Sequence, residues 1–156
     1  MHTFIPTEEV AKRCGDKLYR TALAIMKNKS DAEDVVQDVF VKRMEKAPDF
    51  ASDAHELAWL MRVTVNLCKS KLRSSWRRKT EPLLESYPAQ NQEQESVVEQ
   101  VMALPLRYRT VIHLFYYEGY SCAEIAGITA QKEAAVRQQL TRARGMLREA
   151  LEGEDL

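Results

Sequence analysis

The stretch from Ser121 to Leu147, SCAEIAGITAQKEAAVRQQLTRARGML, decides how the chain is read. Ser121-Cys122-Ala123-Glu124 has the form of a capping box, in which the serine accepts a backbone N–H and the glutamate reaches back. The pattern predicts a short helix to about Ala126, a tight turn, and a longer helix from about Lys132 to Leu151. Ile125 and Ala126 face inward from the first helix, and Ala135, Val136 and Leu140 from the second. That is the arrangement of a helix-turn-helix. It leaves Lys132, Glu133, Arg137, Gln138, Thr141 and Arg142 on the outer face. Arginine pairs bidentately with guanine and glutamine with adenine, so such a face suits base edges and phosphates. Arg144 and Arg148 lie further along, placed for phosphates or for core-side packing. An amphipathic hairpin with a solvated charged face meets the same pattern, and periodicity alone leaves both readings open.

The rest of the chain is also helical in pattern. Its 156 residues hold only 5 Gly and 5 Pro, few for a chain rich in tight turns, and good helix formers fill most positions. Thr7 can cap a first helix carrying Val10, Cys14 and Leu18 on one stripe and ending near Lys27-Asn28. Ser30-Asp31-Ala32-Glu33 reads as a capping box for a second, whose apolar positions are Val35, Val36, Val39, Phe40 and Met44. Pro48 stops it. Asp53-Ala54-His55-Glu56 can cap a third helix running to about Arg78, apolar in its first half and basic in its second. Pro82, Pro88 and the polar run Gln90 to Gln94 read as a linker. A short helix marked by Val97, Val98, Val101 and Met102, and another from about Leu106 to Glu118 closed by Gly119, lead into the helix-turn-helix. The fold class expected is all-α: two small helical domains, 1–79 and 96–156, joined by a flexible linker, 80–95. Each is below the ~70–80 residues at which a core becomes self-sufficient, so a large partner is a plausible source of stability.

Formal net charge is zero, but its distribution is uneven. From Trp59 to Thr80 lie Arg62, Lys69, Lys71, Arg73, Arg77, Arg78 and Lys79 without an acid. From Glu81 to Leu104 there are acids and no base, and from Thr129 to Arg148 Glu133 is the sole acid. Two basic zones separated by an acidic one make a patterned field. The basic helix from Trp59 can track a DNA backbone, with Trp76 placed to stack on an unpaired base. A solvated cationic helix with Trp59 in the core is the plainer alternative. The acids of Asp31 to Phe40 suit a helix N-terminus, while Gln37 and Asp38 extend a polar stripe that fits protein docking. Cys14, Cys68 and Cys122 are widely spaced and read as free thiols in a reducing cytoplasm. They share no metal-ligand spacing with His2, His55 or His113, so no metal or cofactor is expected. No apolar run approaches the ~20 residues of a membrane span, and no nucleophile–base pair, carboxylate pair or phosphate loop suggests an enzyme.

DAEDVVQDVF, then WLMRVTVN, a basic helix, a linker, and LPLRYRTVIHLFYYEGYSCAEIA with AAVRQQLTRARGMLREAL together resemble bacterial sigma factors of the extracytoplasmic-function type, which keep only regions 2 and 4. The resemblance implies a subunit that directs core RNA polymerase to promoters. It assigns Asp31, Asp34, Gln37, Asp38 and Phe40 to core polymerase binding. Arg62, Asn66, Lys69, Arg73, Arg77 and Arg78 fall to the −10 element, with Asn66 on a flipped-out base of the displaced strand. Lys132, Glu133, Arg137, Gln138, Thr141, Arg142 and Arg144 fall to the −35 element. The partners implied are core polymerase, double-stranded promoter DNA, the unpaired −10 strand and an anti-sigma factor. The acidic 81–100 stretch would take the place of the linker that threads towards the polymerase cleft. Thr129-Ala130-Gln131-Lys132 stands where the family usually reads Leu-Gly-Ile-Ser, a change of small cost if Ala130 keeps a negative φ. Lys132 replaces the usual serine cap, and Gln138-Gln139 replaces a common Ser-Arg pair. From the residues alone, a conventional operator-binding regulator and a helical adaptor without a DNA role remain the alternatives.

Overall fold

The computed structural model describes residues 7–74 and 92–154, with side chains in the second span from 97 to 153. The chain divides into two compact units at Thr80/Glu81, each all-helical among the described residues.

The N-terminal unit packs α1 (Thr7–Met26), α2 (Lys29–Lys46) and α3 (Asp53–Ser74) against one another. Val10, Cys14, Leu18, Ala22 and Ile25 form the inward stripe of α1, at the helical spacing expected. The helix ends as Lys27 turns left-handed (φ 58°). Asn28 then takes an extended conformation, and its side-chain oxygen accepts the Asp31 N–H at 2.9 Å. The cap of α2 is therefore Asn28, not Ser30, which is already helical. Thr7 likewise lies inside α1, where its hydroxyl accepts a hydrogen bond from Arg43 at 2.8 Å. At α3 the capping oxygen is Ser52 Oγ, which accepts the His55 N–H at 3.1 Å, and Asp53 is the first helical residue.

Glu56 does not cap either. Its carboxylate is 1% exposed and accepts from Arg43 Nε at 3.0 Å, Arg43 Nη2 at 2.8 Å and Arg13 Nη2 at 2.9 Å. Ala32, Val35, Val39 and Arg43 form the buried stripe of α2. An arginine thus continues a row where a hydrophobe is expected, and Met44, expected inward, is 66% exposed. The buried carboxylate makes this tolerable, since charges taken from water must be paired.

The C-terminal unit contains α4 (Gln92–Ala103), α5 (Leu106–Ile112) continuing into a π-helical stretch (His113–Tyr117), α6 (Cys122–Thr129) and α7 (Glu133–Glu154). Residues 92–95 of the expected linker are the first of α4; the part from 80 to 91 lies outside the described residues. Val101, Val111, Leu114, Ile125, Val136, Leu140 and Ala143 fill the core. Arg109 Nη1 donates to the Leu104 carbonyl at 2.7 Å, bracing the corner between α4 and α5. In the π-helical stretch His113 Nε2 meets Glu118 Oε2 at 2.9 Å, both side chains 1% exposed. Gly119 follows with φ 75°, the conformation for which glycine carries no steric cost.

Candidate nucleic-acid and polymerase interfaces

The capping box of α6 forms as its sequence indicates. Ser121 Oγ accepts the Glu124 N–H at 3.1 Å, and Glu124 Oε1 accepts the Ser121 N–H at 2.9 Å. The helix runs three residues past Ala126, to Thr129, because Ala130 supplies the stop. Ala130 adopts φ 55°, ψ 45°, so the condition of a negative φ is not met. The N–H groups of Ala130 and Gln131 both turn back to the Ala126 carbonyl, which closes the helix end as a glycine would. A chain of side chains spans the turn: Gln139 Nε2 donates to Gln131 Oε1 at 2.7 Å, Gln131 Nε2 to Thr129 Oγ1 at 2.9 Å, and Thr129 Oγ1 to the Ile125 carbonyl at 2.8 Å. Gln139 therefore ties α7 to the turn and does not face outward with Gln138. Helix α7 begins at Glu133, with the Lys132 carbonyl accepting the Val136 N–H.

Lys132, Arg137, Gln138, Thr141, Arg142 and Arg144 are exposed, and Glu133 is half-buried. At 3.6 residues per turn Arg137, Thr141, Arg144 and Arg148 share one flank of α7, and Gln138 and Arg142 lie on the other. Several already hold partners within the chain. Arg137 is ion-paired with Glu133, which raises the guanidinium pKa. Arg144 Nε donates to the Tyr116 hydroxyl at 2.6 Å, and the guanidinium lies over the Phe115 and Tyr116 rings. Thr141 Oγ1 returns to the Arg137 carbonyl at 3.0 Å.

On α3 the expected residues form a cleaner surface. Arg62, Asn66 and Arg73 are exposed and Lys69 is half-exposed; at spacings of four, three and four they make a single stripe along the helix. Among the described residues no ion pair or side-chain hydrogen bond engages them. Trp59 lies two turns before Asn66 and is half-exposed, its ring edge-on to Phe50 at 5.7 Å. It is a rim residue, not the core residue the plainer reading made it. Trp76, Arg77 and Arg78 lie outside the described residues.

On α2, Asp34 and Gln37 are exposed, and Asp38 and Phe40 are half-exposed. Asp38 Oδ2 meets Lys71 Nζ of α3 at 3.1 Å. Asp31 differs: it is 7% exposed, at the start of the helix, where Asn28 binds its N–H. Val41 and Met44, 43% and 66% exposed, share a face with Gln37 at spacings of four and three. The sequence carried that signal in the apolar excess around Phe40, but helical period alone placed Met44 inward. Among the described residues no group of His, Cys, Asp and Glu could hold a metal ion, and no helix is long and apolar enough to cross a membrane.

Residues 10–78 match the family model of Sigma-70 region 2, and residues 94–147 that of Sigma-70 region 4. The two units are thus region 2 and region 4 of an RNA polymerase sigma factor. The chain is 30% identical to the ECF RNA polymerase sigma factor SigM of Mycobacterium tuberculosis, over 90% of this chain and 74% of SigM. It is 28% identical to RNA polymerase sigma factor SigV of Bacillus subtilis, over 88% of this chain and 86% of SigV. The chain belongs to the ECF RNA polymerase sigma factors, which direct the polymerase to specific promoters for transcription initiation. Solved structures agree in fold. CnrH, in complex with the cytosolic domain of CnrY, matches with a TM-score of 0.69 at 28% identity, covering 94% of this chain and 88% of CnrH. The sigma factor RpoE from Bartonella quintana, in complex with the anti-sigma factor NepR, matches with a TM-score of 0.76 at 23% identity, covering 93% and 96%.

Proposed function

We propose that three surfaces of this sigma factor divide the work of initiation. The α2 face of Asp34, Gln37, Asp38 and Phe40, widened by Val41 and Met44, docks on core RNA polymerase. Asp31 serves the start of α2 and is left out of that contact. The α3 stripe of Arg62, Asn66, Lys69 and Arg73, with Arg77 and Arg78 following in sequence, binds the −10 element. Asn66, two turns along α3 from Trp59, receives a base from the displaced strand. Unstacking that base costs a few kcal/mol, offset by pocket contacts. The outer face of α7, with Lys132, Glu133, Arg137, Gln138, Thr141, Arg142 and Arg144, binds the −35 element. Residues 80–95 connect a polymerase- and −10-binding domain, 1–79, to a −35-binding domain, 96–156. The chain is a non-catalytic subunit that works in the cytoplasm, and nucleotidyl transfer belongs to the polymerase. Since RpoE is held by NepR, an anti-sigma factor is among the proposed partners.

The observation that carries this reading is the exposed α3 stripe, basic except at Asn66, on the unit that matches region 2. Transcription in vitro with core polymerase on a random promoter library tests it. Two enriched blocks at a fixed spacing are expected; enrichment of a single operator-like block bound without polymerase contradicts it. Asp38→Arg should abolish co-purification with core polymerase. Lys71→Gln, which breaks the same ion pair from the other side, should leave the complex intact and so separates docking from the loss of the bridge.

A further inference from the structure

The outward face of α2 carries the most accessible methionine among the described residues. Met44 is 66% exposed and Met146 of α7 is 38% exposed, whereas Met26, Met61 and Met102 are buried at 3%, 0% and 7%. Met44 follows Phe40 and Val41 by four and three residues, about one helical turn. Val35, Val39 and Arg43 turn to the opposite, buried side of the same helix. The thioether therefore stands away from the core, beside the exposed Val41, on the face assigned to core polymerase. It differs from Phe40 and Val41 in one chemical respect. Oxidation converts a flexible apolar methionine into a polar sulfoxide, and the change is reversible.

We propose that Met44 is a modification site, at which oxidation by a peroxide weakens docking on core polymerase. This rests on the assignment of the α2 face to that contact. The sulfur attacks one peroxide oxygen, and the O–O bond breaks as the S–O bond forms. The departing hydroxide takes up the remaining proton and leaves as water, so sulfur gives up two electrons and the peroxide gains them. The new oxygen must shed its water to enter an apolar contact, a cost that only a matching donor would offset. A thiol-dependent methionine sulfoxide reductase returns the thioether. The free chain is the species modified, because docking covers the sulfur.

The test treats the complete chain with hydrogen peroxide, free and assembled with core polymerase, and maps added oxygen by mass spectrometry. Met44 should be oxidised ahead of Met146 in the free chain and protected in the complex. The oxidised chain, titrated with core polymerase, should bind about ten-fold more weakly. Sulfoxide reductase should restore that affinity, which separates the thioether from the thiols of Cys14, Cys68 and Cys122. Each variant is compared with its own untreated form. Met44→Leu should be indifferent to peroxide, and Met146→Leu should lose affinity as the wild type does. An equal loss in Met44→Leu, a loss the reductase does not reverse, or unchanged affinity once Met44 is oxidised would each overturn the proposal. So would oxidation of Met44 as fast in the complex as in the free chain. If Asp38→Arg abolishes binding while oxidation of Met44 leaves it intact, the modification fails and the docking face stands. If neither changes binding, both fail.

Discussion

The N-terminal and C-terminal units place their polar side chains in opposite ways. In the N-terminal unit the groups that hold the fold and those offered to DNA occupy different faces of the same helix. Glu56, Leu60 and Thr64 of α3 point inward, with Glu56 joining α1 and α2 through Arg13 and Arg43, while Arg62, Asn66, Lys69 and Arg73 point out. In the C-terminal unit the two sets overlap. Arg137 is held by Glu133 and Arg144 by Tyr116. Stability and DNA binding are therefore separable by substitution on α3 and entangled on α7. A −35 contact through Arg137 or Arg144 exchanges an existing partner for DNA, whereas a −10 contact gains one outright.

The largest effect expected lies in the N-terminal network. Glu56→Ala removes the carboxylate that Arg43, whose side chain is 4% exposed, meets at 2.8 Å. Removing one partner of a buried pair costs about 3–5 kcal/mol, enough to unfold a domain this small. Both tryptophans of the chain, Trp59 and Trp76, belong to the N-terminal unit, so tryptophan fluorescence in a urea titration reads that unit alone. A shift under about 1 kcal/mol would show that Arg43 is paired otherwise.

Next come Arg137→Ala and Arg142→Ala, each expected to weaken −35 binding by about 1–3 kcal/mol. Glu133→Gln frees Arg137 without removing it. Salt-dependent promoter binding should improve slightly on that substitution. Unchanged affinity in both arginine variants would break the assignment of α7.

Smaller still is the turn. Ala130 sits in the left-handed region, where a side chain costs about 1–2 kcal/mol relative to the right-handed form. Ala130→Gly should raise the stability of the C-terminal unit by about 0.5–1 kcal/mol, part of the relief being lost to the freer unfolded chain. Circular dichroism in urea measures this, and a loss of stability would mean the turn needs the methyl group.

The smallest effect at neutral pH belongs to Cys68, whose thiol burial pushes from 9.0 up to about 12. The folded unit keeps a proton that the unfolded chain releases, so this contribution is complete below pH 9.0 and is lost as pH rises towards about 12. Native Cys68 should resist thiol reagents, and Cys68→Ala should flatten the alkaline decline in fluorescence midpoint. An equal decline in both proteins would exclude Cys68 as its source.

Helical class, the two-unit division and most of the inward stripes were legible because apolar period records burial, Met44 of α2 being an exception. The caps were legible only where side chain and backbone agree, as at Ser121. At Asn28 a left-handed Lys27 decides where the next helix starts, and no residue pattern announces a lysine with positive φ. The Arg13–Glu56–Arg43 network was hidden for a related reason: Glu56 fits a cap, and Arg43 reads as surface, until the three helices bring them together. On the functional surfaces the exposed stripe of α3 followed from its charges, but the partner of Arg144 did not. That contact depends on the π-helical stretch reaching α7, which is tertiary information.

The separation of fold from DNA contact on α3 is tested most directly by Asn66→Ala, assembled with core polymerase on a selected promoter and footprinted with permanganate. Closed-complex affinity and the fluorescence midpoint of the N-terminal unit should stay near wild type, while reactivity of the −10 thymines falls sharply. An undiminished bubble, or a loss of opening that merely follows a loss of stability, would contradict it.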